Sequence, residues 1–316
     1  MGRTACCTGL LGVCLVLLTV SSARAATQPV IFYACVNAQT GFLYNQYKGT
    51  HPRCRPGDTV TSWNQAGPRG VQGPPGPPGG DAPCSPDAVE VGRLCVDTYE
   101  ASVWEIPATN AALIDKVQHG TATLADLQAG NGVVQRGTNR TDDYPCGDDG
   151  NECSDLYAVS IPGVQPSISN TWFQAQQACA NVGKRLLTNA EWQMAAAGTP
   201  APDIDNGSTD CNIITAGTAV NTGSRANCQS RWGTFDMVGN VGEWVADRVA
   251  APTTCPGWGS FSNDKMCLAG ADASIIGPAA LVRGGDFHSS SEAGVFEVNW
   301  DQPWHSSYFS GFRCSR

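Results

Sequence analysis

Residues 233–247 read GTFDMVGNVGEWVAD, and their interpretation decides the fold. Asp236 and Glu243 are too far apart for adjacent turns of one helix, and Gly239 and Gly242 interrupt any helix between them. The stretch therefore reads as a tight, irregular loop framed by Met237, Val241 and Trp244. Such a loop can turn carboxylates and backbone carbonyls toward one point, the donor set that a hard cation such as calcium takes. The same residues also read as an ordinary polar turn between core side chains.

Three further stretches accompany it. KRLLTNAEWQMAAAG (184–198) lies upstream, and LVRGGDF (281–287) and GFRCSR (311–316) lie downstream. In this order the four segments resemble the formylglycine-generating, or sulfatase-modifying factor, family, over about Pro83 to Arg316. The resemblance implies an α+β fold, a loop-rich and disulfide-stapled variant of the C-type-lectin fold. It also implies a structural calcium ion held by side-chain oxygens of Asp236 and Glu243 and by backbone carbonyls of Gly239 and Val241. A further calcium site of the family would include Asn212 and Ile213, but the later acid it needs is not evident in 221–230.

Bulk properties narrow the classes. The chain has 316 residues and a net charge of −9, which argues against non-specific nucleic-acid binding. Charged residues are only 15% and glycine is abundant at 36, so a loop-rich globular protein is expected rather than a disordered polyelectrolyte. Residues 1–25 read as a signal peptide: Arg3, an apolar run from Leu10 to Val20, and Ala23-Arg24-Ala25 as a cleavage site. No later segment is apolar enough to anchor in a membrane, so a secreted, extracellular or periplasmic protein without membrane insertion is expected.

Fifteen cysteines become twelve after that cleavage, an even number as in an extracellular disulfide framework. Spacing suggests local pairs Cys35–Cys54, Cys84–Cys95, Cys146–Cys153, Cys211–Cys228 and Cys255–Cys267. Cys179 and Cys314 remain, and the resembled fold carries a bridge from a helix to the last strand at that place. Sequence alone does not fix the connectivity.

Residues 26–66 form a small N-terminal module, with strands expected in VIFYACV and FLYNQY around a turn at 39–41. Next, GPRGVQGPPGPPGG (67–80) places glycine at 67, 70, 73, 76 and 79, the collagen period. It reads as an extended linker over 67–82 or as a neck that brings three chains together, a homotrimer. The arrangement resembles the stalks of bacterial collagen-like surface proteins.

The main domain, 83–316, opens with a strand pattern at 92–104 and short helices at 111–117 and 123–129. The acidic loop 141–155 reads as solvated and pinched by its own disulfide, or as a second calcium site. Two helices follow: 171–182, capped by Ser169 or Asn170, and one opened by the capping box Thr188 and Glu191. Lys184, Arg185 and Glu191 are read as capping, pairing and orienting those helices.

Function turns on 284–313, GGDFHSSSEAGVFEVNWDQPWHSSYFSGFR. Formylglycine-generating enzymes carry two reactive cysteines after the Arg-Gly-Gly motif, because thiolates bind copper(I) and engage the substrate thiol. This segment has none, and its histidines, His288 and His305, lack the spacing of an iron site, so no copper or iron site is evident. Gly294-Val295-Phe296 reads as an apolar anchor inside a polar, aromatic surface. The expected ligand contacts are Asp286, His288, Ser290, Glu292, Glu297, Asn299, Trp300, Asp301, Trp304, His305 and Tyr308, a mixture recognition loops use. The segment also resembles the variable region of proteins diversified by retroelements. A secreted recognition protein for a protein or glycan ligand is the reading, with no catalytic residue assigned. The alternatives are an oxidase of the formylglycine-generating type or a related metal-dependent oxidoreductase, and a structural oligomeric surface protein.

Overall fold

The computed structural model describes residues 31–40, 43–64, 83–254, 268–272, 274–275 and 277–316, in two compact units. The expected signal peptide, the Gly-x-y stretch and the Cys255–Cys267 pair lie outside the described residues.

The first unit is a three-stranded antiparallel sheet. Ile31–Val36 lies between Leu43–Lys48 and Thr59–Asn64. The third strand, TVTSWN, goes beyond the two expected, because its threonines and serine give little apolar alternation. The Cys35–Cys54 bridge ties the first strand to the loop that precedes the third. Tyr44 Oη donates to Asp58 at 2.6 Å, and Asn37 Oδ1 accepts from the Gln39 and Thr40 N–H groups at the first turn.

The second unit has strands in several small sheets and helices packed beside them. Its central sheet orders Val298–Asp301, Pro278–Arg283, Gly242–Ala250 and Ser310–Phe312. Gly242–Ala250 runs antiparallel to Pro278–Arg283 and parallel to Ser310–Phe312. The second half of the opening stretch is thus a central strand and not a loop. Gly242 through Val245 are all buried, so the segment lacks the alternation that marks a half-exposed strand. The pattern at 92–104 is likewise two strands, Leu94–Asp97 and Ser102–Glu105, broken around the buried Glu100.

Helices form where capping chemistry permits. Trp172–Asn181 is capped by Thr171, in a reciprocal box with Gln174, and not by Ser169 or Asn170. Ser169 is unsuited because it adopts a left-handed φ of 57°, and the Asn170 amide is bonded to the Ser167 carbonyl. Thr188 and Glu191 form the expected box at Asn189–Ala195. Thr123 and Asp126 form another at Leu124–Ala129. Five bridges join the described cysteines in the pairs expected from sequence. Such a framework belongs to proteins that fold in an oxidising compartment. Among the described residues, no helix is long and apolar enough to cross a membrane.

Lys184 sits buried between Asp87 and Asp97, with Nζ 2.5 Å from Asp97 Oδ1. It locks the hairpin of Ala88–Val91 and Leu94–Asp97 to the turn after helix Trp172–Asn181. Burial raises the Asp97 pKa to about 6, with Lys184 pulling the other way. The folded protein therefore holds a proton that the unfolded chain, with a carboxyl near 3.8, has released. That contribution to stability is present at low pH and is lost as pH rises through about 6. Asp97→Asn should flatten this part of the slope when denaturation midpoints are compared across that window.

Candidate functional site

The polar segment after Arg283 leaves the central sheet, loops out and returns as the edge strand Val298–Asp301. Its path is fixed from inside. The Phe287 ring is buried, and the Phe287 N–H donates to the Asn240 carbonyl at 3.1 Å. Gly285 has a φ of 76°, and a Cβ there would lie 2.8 Å from Ala293 Cα, so only glycine lets the loop close. Arg283 stacks on Trp192, at 4.6 Å from the ring, and donates to the Val295 carbonyl at 3.2 Å. Glu297 is buried and accepts from the Gly285 N–H at 3.1 Å.

This frame holds open a cleft of about 300 Å³. Seven of the eleven expected contact residues line it: Asp286, His288, Glu292, Glu297, Asn299, Trp300 and Asp301. Glu297 belongs to the buried wall more than to the accessible surface. Ser290, Trp304, His305 and Tyr308 are not in the lining. Ser290 opens a short 3-10 turn and donates its N–H to the Ile213 carbonyl. Trp304 lies close against Gly277, and His305 Nδ1 pairs with Asp301 Oδ2 at 2.6 Å. Tyr308 packs on Phe309, with the Arg140 guanidinium 4.9 Å above its ring.

Sequence reading missed the floor: Gly242, Val282, Gly285, Phe309 and Ser310. The Arg-Gly-Gly and Gly-Phe-Arg motifs that flank the polar segment were the available signal. No lysine or arginine is among the lining residues. The cleft is rich in hydrogen-bond acceptors, so it suits groups that donate hydrogen bonds. Trp300 borders it on the edge strand, but its side chain alternates with those of Asn299 and Asp301 and packs with Leu281 and Val298 on the other face.

Beneath the sheet lies the site where calcium was expected. Glu243 points into the core, where Arg313 Nε lies 2.9 Å from both of its oxygens and Nη2 lies 2.5 Å from Oε1. Trp192 Nε1 donates to its other oxygen at 2.6 Å. Asp236 Oδ2 accepts from the Gly223 N–H at 2.7 Å, while Oδ1 is buried without a partner among the described residues. Glu100 accepts from the Val241 N–H at 3.1 Å and from Asn240 Nδ2 at 2.5 Å. The Gly239 N–H donates to the Gly284 carbonyl.

The expected set Asp236, Gly239, Val241 and Glu243 does not fit a calcium cage in this arrangement. Glu243 already has a cation, and the ion would have to displace a guanidinium that also donates to the Phe235 and Asp97 carbonyls. Three carboxylates are buried around Arg313, with Arg225 acting on Asp236 as well, and their burial favours proton uptake. Burial, then the charges of Asp236 and Glu243, push Glu100 well above the ordinary range. Burial likewise takes Asp236 to about 6, against the pull of Gly223 and Arg313.

The donors for redox metals are placed as follows. Cys314 is bonded to Cys179, and all ten described cysteines are paired. His288 packs edge-on against Phe287 and Phe309. Among the described residues, no three His, Cys, Asp or Glu side chains stand where they could share a metal ion. The acidic loop folds on itself: Asp143 accepts from the Gly137 N–H and Asp149 from Asn151.

Comparison with known proteins gives the context. Residues 151–316, just over half of the chain, match the sulfatase-modifying factor enzyme 1-like domain. Hercynine oxygenase of Mycolicibacterium smegmatis is 25% identical over 168 residues, 49% of this chain and 38% of that protein. The serine/threonine-protein kinase Pkn1 of Chlamydia trachomatis serovar L2 is 26% identical over 162 residues, 48% of this chain and 24% of that protein. The chain thus spans well under half the length of these curated relatives. Among solved structures, the Major Tropism Determinant M1 variant superposes with a TM-score of 0.38 at 17% identity, covering 73% of this chain and 52% of that one. PvdO of Pseudomonas aeruginosa superposes with a TM-score of 0.38 at 18% identity, covering 71% and 80%. Superpositions this loose carry no functional argument. The α+β architecture is the C-type-lectin-like fold of the formylglycine-generating type, and through residues 151–316 the chain belongs to the sulfatase-modifying factor enzyme 1-like family.

Proposed function

We propose that this is an exported recognition protein whose ligand sits in the cleft built from 286–301. One observation carries the reading: the polar side chains of Asp286, Glu292, Asn299 and Asp301 converge on one open cleft. The apolar residues between them, Phe287, Ala293 and Val298, are buried as the frame. Such a division lets the surface carry chemistry without disturbing the core. The acceptor-rich lining suits a hydroxyl-rich ligand, a glycan, whose hydroxyls donate to the carboxylates. Export rests on the expected signal peptide and on the disulfide framework.

The reading has a direct test. Asn299→Ala should weaken glycan binding about tenfold, with an unchanged melting temperature, since it removes a polar contact from a partly exposed side chain that lines the cleft. Asp301→Asn should weaken it less. The comparison is made on a glycan array followed by calorimetry, and equal affinity in Asn299→Ala and the parent would sink the proposal. A diversified surface is a finer form of the same reading. Codon sequencing across 283–313 in a clonal population should then find changes at the cleft positions and none at Gly285, Phe287, Ala293 or Phe312.

A further inference from the structure

The N-terminal unit does not complete a core of its own. Among its described side chains only Ala34, Cys35 and Pro52 are buried. Ile31, Leu43, Tyr47 and Val60 are 41–49% exposed, large apolar side chains left in water on a small sheet. Register places three of them together. Tyr47 is opposite Tyr33 and Val60 is opposite Cys35, while Ile31 is two residues from Tyr33 on the same strand. Side chains alternate across a strand and cross-strand partners share a face, so Ile31, Tyr47 and Val60 occupy one face of the sheet. The loop holding His51 covers only part of it, through the contact of His51 with Tyr33 at 4.1 Å.

The stretch that follows in sequence points to a cover for the rest. Immediately after this unit glycine recurs at 67, 70, 73, 76 and 79 with proline between. That period is the one by which three chains wind together with glycine at the axis. So few triplets do not hold three chains by themselves, and an adjoining association surface would have to register them.

We infer that the unit at 31–64 is a trimerisation cap, and that its Ile31–Tyr47–Val60 face packs against two further copies of this chain. Association buries the apolar surface that one copy leaves in water and aligns three chains for the Gly-x-y segment. The consequence for the cleft is threefold display on one particle, so weak single-site binding becomes avid.

The test uses the full chain from Ala26 onward. Light scattering coupled to gel filtration should give three chains per particle, and Val60→Asp with Tyr47→Asp should give one. Peptide mapping of the Cys35–Cys54 bridge and an unchanged thermal transition of the main domain confirm that the variant is folded. A milder substitution, Val60→Thr, should leave trimers that dissociate on dilution. A monomeric or dimeric parent would overturn the inference. So would a trimer that the double substitution leaves intact, because assembly would then reside elsewhere.

Discussion

Arg313→Met should lower the folding stability by about 3–5 kcal/mol, among the largest effects of any single substitution in the chain. The guanidinium is buried and answers Glu243, with Glu100 and Asp236 acting on it from further away. Removing it leaves Glu243 in the core without its ion-pair partner and Glu100 without the charge that offsets it, while only Arg225 still acts on Asp236. It also strips donors from the carbonyls of Asp97, Thr98 and Phe235, which hold the last strand to the Leu94–Asp97 hairpin and the 233–241 loop. Replacing both partners, Glu243→Gln with Arg313→Met, should restore part of the loss, because an uncompensated charge costs more than an absent pair. Denaturant titrations of the two single variants and the double variant measure this. A loss below about 1 kcal/mol for Arg313→Met would contradict the account of the cluster.

The second large effect concerns the Cys179–Cys314 bridge. It joins residues 135 apart, and closing a loop of that length in the unfolded chain is worth about 5 kcal/mol. The Cys146–Cys153 bridge, with a separation of 7, should contribute only about 2 kcal/mol on the same argument. Alanine at both members of each pair allows a direct comparison of thermal midpoints. Loss of the long bridge should cost about twice as much, because it pins the helix Trp172–Asn181 to the strand Cys314–Ser315 at the far end of the chain. Equal midpoints in the two double-alanine variants would show that loop length does not govern the contribution of these bridges.

Much of the frame was legible in the sequence because its signals are local. The box of Thr188 and Glu191, the short-range cysteine pairs and the glycines around the polar segment all act within a few residues. The role of Glu243 was not legible, because its partner, Arg313, is 70 residues away. Nothing near Glu243 distinguishes a cation ligand from half of an ion pair. The strand character of 242–245 was hidden for a related reason: a strand segment covered on both faces loses its alternation. At the cleft, composition identified the polar residues but not the depth of each one. Glu297 lies in the wall because it accepts from Gly285 across twelve residues, and Val282 and Phe309 reach the floor through sheet pairing and packing that composition does not report.

The most direct test of the recognition surface is a glycan array probed with the full chain from Ala26 onward and with its Asn299→Ala variant, both checked for equal melting temperature. The expected result is a defined set of glycans bound by the parent and lost in the variant. Signals of equal strength from both proteins would contradict the assignment of the cleft as the ligand site.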